Sequence, residues 1–167
     1  MQPSAFLLVA AASAAFGLEV HDPAYAAGVY AETRALFSPQ GYVINGLVTL
    51  VDACPCHGAI GTERGSGAYD GLILAVAEGA CTEEAECTAA EAACAAQQAE
   101  ASGVLLPEGL GDRDGVGGYW QPVSWRQRPL EAACKQSPLP TAFISRDLTA
   151  LLRNASRTGD AVNVTMT

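Results

Sequence analysis

The chain has 167 residues, half of them hydrophobic, with 18 Asp and Glu against 9 Lys and Arg and a formal net charge of -9. That length and apolar content suit one domain with a buried core and exclude global disorder. Residues 1–112 carry fourteen acids and two bases (Arg34, Arg64), and residues 113–167 four acids and seven bases; with no basic stripe to meet phosphates, nucleic acid is excluded as a partner.

In chain order, residues 5–16 are an apolar run followed by small residues, with Ala12-Ser13-Ala14 as an A-x-A cleavage pattern. Residues 1–18 are therefore expected to be a signal peptide or an apolar N-terminal helix. A spanning helix needs about twenty apolar residues, so membrane contact is expected only through this segment, if it is retained. Ala14-Ala15-Phe16 also resembles the "small-Ala-Phe" signal junction of proteins sent into the complex plastids of red-lineage algae. That resemblance implies a plastid lumen as an alternative compartment, although Glu19 and Asp22 stand where a basic, Ser-rich transit segment should follow.

Residues 19–167 are expected to form a single helical, disulfide-bonded domain: a small mainly α bundle with long Gly/Pro-rich loops and a short C-terminal strand. Asp22-Pro23 reads as an N-cap and first helical position for a helix over 23–37. The apolar stretch 42–53 fits a strand or a buried helix, with the helix favoured by its alanine-rich neighbourhood. Residues 68–79 show a helical face through Leu72, Ile73 and Val76. Thr82 caps the clearest helix, running through "EEAECTAAEAACAAQQAEA" to residue 101. Residues 103–126 hold many glycines and read as an irregular loop. A short helix from Pro129 through Cys134 precedes a final helix over 146–157, capped by Ser145, and "DAVNVTMT" alternates like a strand.

Six cysteines, an even number, point to a disulfide framework: Cys54, Cys56, Cys81, Cys87, Cys94 and Cys134. If Cys87 and Cys94 share one helix face they lie about 10.5 Å apart along the axis, too far to bond each other. Cys54-Pro55-Cys56 is then expected to staple across that helix at both cysteines, leaving Cys81 for Cys134. Asn154-Ala-Ser156 and Asn163-Val-Thr165 are glycosylation sequons. Cysteines, sequons and the N-terminal run together predict the secretory pathway, outside the cell or in an organelle lumen.

Cys54, Cys56 and His57, with Cys87 or Cys94, form a candidate zinc or copper set. Structural zinc sites space cysteines by two to four residues, which C-x-C-H does not, so no metal is expected. Read as Ala53-Cys54-Pro55-Cys56-His57, the stretch is similar to the single-cysteine A-x-x-C-H haem attachment of cytochromes c from euglenid-type protists. That resemblance implies haem and a distal methionine, and beyond Met1 the chain offers only Met166. No cofactor is expected. No catalytic residue is assigned, since neither His21 nor His57 has a partner identifiable from sequence. Tyr119, Trp120, Trp125, Arg126 and Arg128 form an aromatic-basic cluster of the kind that anchors interfaces. The expectation is a non-catalytic structural or accessory subunit, or an interaction module, with protein partners. The alternative is a small secreted enzyme or a ligand- or metal-binding protein using loop 103–126 or the Cys54/Cys56/His57 cluster.

Overall fold

Among the described residues strands outnumber α-helices, seven to two. The computed structural model describes residues 17–35, 38–39, 41–57, 69–81, 87–108, 110 and 139–167. Seven strands form a closed barrel: β1 (Gly17–Asp22), β2 (Gly28–Arg34), β3 (Ile44–Val51), β4 (Ile73–Val76), β5 (Gly103–Pro107), β6 (Thr141–Ile144) and β7 (Val162–Met166). Around the barrel the order is β1-β2-β6-β5-β4-β3-β7, with β7 pairing β1 to close it. Strands β3, β4, β5 and β6 run parallel; β6–β2, β2–β1, β1–β7 and β7–β3 are antiparallel. The helices described are α1 (Ala89–Gln98) and α2 (Arg146–Thr158), with a 3₁₀ turn at Pro55–His57. The expected helical bundle is therefore incorrect.

The physical reason lies in the parallel half. β4, β5 and the adjoining β6 are buried along their whole length. A strand covered on both faces reads as a short continuous apolar run, which periodicity cannot tell from a buried helix. Thus "ILAV" within the expected helix 68–79 is β4, and "GVLLP" at the start of the expected loop 103–126 is β5. Residues 42–53 form strand β3 rather than a helix. The expected helix 23–37 is a turn leading into β2: the Asp22–Pro23 bond is cis, and the Ala26 amide donates to the Pro23 carbonyl at 2.8 Å.

The core has two layers. Ile73, Ala75, Leu105, Ala142 and Ile144 join Leu18, Val20, Val162, Val164 and Met166 in an inner layer with Leu148, Leu152 and Ala155 of α2. The alternate residues Leu74, Val76, Val104, Leu106 and Phe143 form an outer layer with Ala89, Ala92, Ala93 and Ala96 of α1. The β4–α1–β5 unit is thus a parallel crossover, its helix packed on the sheet it connects. The apolar face of α1 is nearly all alanine. That permits close approach but buries little area per residue.

Local signals set both helices. Thr88 caps α1 through a full capping box with Glu91: the Glu91 amide donates to Thr88 Oγ1 at 3.2 Å, and the Thr88 amide donates to Glu91 Oε2 at 3.0 Å. α1 therefore starts at residue 89, later than the expected 82–101 helix; residues 82–86 lie outside the described residues. Ser145 caps α2 by accepting from the Leu148 amide at 3.3 Å, and Gly159 ends it with φ 78°. Replacing Ser145 with alanine is expected to lower stability by about 1 kcal/mol. The check is a shift in the denaturant midpoint with an unchanged slope.

Candidate functional site

The disulfides follow from the barrel register. Val51 of β3 pairs with Val76 of β4, so both chains leave the sheet at the same end. Cys54 and Cys81, a few residues beyond, meet with Cα atoms 4.6 Å apart and are bridged. Cys56, in the 3₁₀ turn, is bridged to Cys87. The Cys56–Cys87 bridge agrees with the expected staple, and the rest of the expected pairing is corrected. Cys87 precedes the Thr88 cap instead of lying on the helix, so it does not share a helix face with Cys94, and Cys81 takes Cys54. Cys94 is disulfide-bonded as well; Cys134 lies outside the described residues. The sulfurs of Cys54, Cys56 and Cys87 lie within 4.8 Å of one another. A metal set of that kind needs thiolates, and all three sulfurs are committed to bridges. The aromatic-basic cluster Tyr119, Trp120, Trp125, Arg126 and Arg128 falls outside the described residues.

Two other sites come together from strands distant in sequence. The first is the outer face of the antiparallel half. Register puts Val29, Glu19, Thr165 and Asn45 in one row across β2, β1, β7 and β3, and Asp22, Asn163 and Leu47 in the next. Val29 is 74% exposed and Leu47 48%, with Val43 exposed just before β3 and Tyr25 exposed in the β1–β2 turn. These four are the exposed large hydrophobic residues among those described. Between them runs a polar ladder. His21 Nε2 lies 2.7 Å from Thr165 Oγ1, Thr165 Oγ1 donates to Asn45 Oδ1, and His21 Nδ1 is 3.9 Å from Glu19. The contacts tie His21 of β1, Thr165 of β7 and Asn45 of β3 together across three strands. Sequon residue Asn163 sits half-buried in the middle of this face, and Asn154 is exposed on α2.

The second site lies where β2 runs past the end of β1. Glu32 pairs with Ile144 and Arg34 with Ala142 across β2–β6. The Arg34 guanidinium stacks on the Tyr42 ring, 4.8 Å from its centroid, a cation–π contact. Both carboxylate oxygens of Glu32 are buried without a hydrogen-bond partner among the described residues. Burial pushes the Glu32 carboxyl up to about 7, against the opposing pull of Arg34, and burial likewise raises the Tyr42 phenol. Nothing in the sequence marked this group. Glu32 and Arg34 are i,i+2 on a strand and share a face only because the segment is not a helix.

No protein-family model matches the chain, and no curated protein matches it. Solved structures do share its fold. An aminopeptidase from Aneurinibacillus sp. strain AM-1 aligns with a TM-score of 0.55 at 12% identity, over 91% of this chain and 30% of that one. A peptidase M28 precursor from Shewanella amazonensis SB2B aligns with a TM-score of 0.59 at 13% identity, over 90% of this chain and 33% of that one. At such identities the similarity is one of fold, and the chain spans about a third of the length of each peptidase.

Proposed function

We propose that this chain is a non-catalytic interaction module of a larger exported or organelle-lumen assembly, docking its partner through the outer face of β2, β1, β7 and β3. The observation that carries the reading is the exposure of Val29 and Leu47 on the outer face of the sheet half opposite the one α1 covers. Apolar residues flanking a polar ladder match the composition of a protein–protein contact surface. Two observations support it further. The disulfides Cys54–Cys81 and Cys56–Cys87 fit an oxidising compartment. The same barrel fold also occurs within about a third of two longer peptidase chains, so a hydrolytic domain is the partner class to try first.

The test is the double variant Val29→Lys, Leu47→Lys. Both side chains point to solvent, so the circular dichroism spectrum and melting temperature should stay as in the parent chain. Co-elution with the native assembly on size exclusion should be lost. A variant that still co-elutes would remove this face from the reading. Steady hydrolysis of aminoacyl-amide substrates by the purified chain alone would remove the non-catalytic role. Intact mass under reducing and non-reducing conditions tests export through the bridges and any glycans on Asn154 and Asn163.

A further inference from the structure

Three sulfurs from two bridges meet where β3 and β4 leave the sheet. Those of Cys54, Cys56 and Cys87 lie within 4.8 Å of one another, and Cys81, the partner of Cys54, is the sulfur outside that group. Cys56 and Cys87 are bonded to each other, so the contact between the two bridges is made through Cys54. The four residues also differ in access. Cys54, Cys81 and Cys87 are buried, while Cys56, in the 3₁₀ turn, is half-buried.

Thiol–disulfide exchange proceeds by attack of a thiolate on one sulfur of a bridge, which expels the other, so access and leaving group decide where it starts. Access puts the first attack on Cys56. The sulfur expelled is then Cys87, which directly precedes the Thr88 cap of α1, where the positive end of the helix favours a thiolate. Released Cys87 has two sulfurs within reach. Return to Cys56 restores the starting bridge. Attack on Cys54 forms Cys54–Cys87 and expels Cys81. A gap of at most 4.8 Å is one rotamer step for a released cysteine side chain. Loop entropy does not oppose the exchange, because the loops closed by Cys54–Cys81 and by Cys54–Cys87 differ by only six residues.

We infer that the two bridges form one thiol-responsive switch: a small thiol opens Cys56–Cys87 at Cys56, and the released Cys87 exchanges onto Cys54, leaving Cys54–Cys87 bridged and Cys81 free. Sulfur and electrons balance. The first thiolate becomes a mixed disulfide on Cys56, Cys87 takes over Cys54, and Cys81 leaves as a thiolate that water protonates. A second thiolate then removes the first as its own disulfide and frees Cys56. Two small thiols are oxidised, and the chain loses one of its two bridges by a two-electron reduction. The end of β3 stays tied to the start of α1, while Cys81, beyond the end of β4, is released. Val29 and Leu47 take no part in this switch, which stands independently of the outer docking face.

The experiment uses the whole chain and has two arms. Cys56→Ser leaves Cys87 a free thiol with no reductant present. After incubation in mildly alkaline buffer the folded variant is quenched with acid, unfolded, labelled with N-ethylmaleimide and mapped by mass spectrometry of unreduced peptides. Cys81 should carry at least about a tenth of the label shared with Cys87, since the two loops are of similar length. Label on Cys87 with none on Cys81 would overturn the inference. The second arm holds the parent chain in reduced glutathione and maps it the same way, so the test survives if the variant fails to fold. The first glutathione adduct should be on Cys56, accompanied by a peptide linked through Cys54–Cys87. A first adduct on any other cysteine, or an adduct on Cys56 while Cys54–Cys81 stays intact throughout, would also overturn it.

Discussion

Removing both Cys54–Cys81 and Cys56–Cys87 is expected to destabilise the domain by about 6 kcal/mol, whereas removing either one alone should cost only about 2.5 kcal/mol. The inequality follows from their placement. Each bridge closes a loop of similar length, with sequence separations of 27 and 31. Their ends lie two residues apart on one side and six on the other, so either bridge alone leaves the other to close a loop of only about eight residues, worth less entropy. Alanine at 54 and 81, at 56 and 87, and at all four positions, compared by denaturant midpoint, provides the check. The mechanism also predicts where the structure opens first. The α1 face is alanine, and the 3₁₀ turn that packs near it is held to its N-terminus through Cys56–Cys87. Amides of α1 should therefore lose hydrogen-exchange protection on reduction before those of β4 and β5. A quadruple variant losing under about 2 kcal/mol would end the stapling argument.

The second large effect is a pH dependence set by Glu32. In the unfolded chain its carboxyl titrates in the usual carboxylate range, and in the fold burial raises it to about 7. The folded state thus holds a proton that the unfolded state gives up. Its stabilising effect is full below about pH 4 and is lost as pH rises through about 7. Glu32 is only partly buried, so solvent screening reduces the effect to about 1–2 kcal/mol. Glu32→Gln, which cannot ionise, should melt close to the parent chain at pH 4 and several degrees above it at pH 8. Parallel melting curves of the two proteins across that range would show that Glu32 does not ionise in an unfavourable site.

Features governed by neighbours within a few residues were legible without the fold. α2 is one: Ser145, Asp147 in the first turn, the Leu148–Leu152 face and Gly159 all act over four residues or fewer. The alternation of Val162, Val164 and Met166 is another, and it appears as β7, a strand paired on both edges. The alanine-rich run of α1 was also visible, though its start was misplaced because Thr82 and Thr88 are both plausible caps and only Thr88 has Glu91 three residues on.

The candidate sites were not legible in this way. Glu32 and Arg34 share an inward face only once β2 is a strand. The row Val29, Glu19, Thr165 and Asn45 spans four strands whose order departs from the order of the sequence. The partner of Cys81 depended on Val51 and Val76 ending side by side in a parallel pair, a relation with no trace in cysteine spacing.

By itself, then, the sequence determined the acidic charge, the cysteine count, the sequons, the final helix and the last strand, because each is written in residues that act locally. The barrel, the pairing of the bridges and the composition of the outer face were decided by tertiary structure. Strands of four or five residues buried on both faces carry no period of their own, and their identity comes from the neighbours that complete their hydrogen bonds.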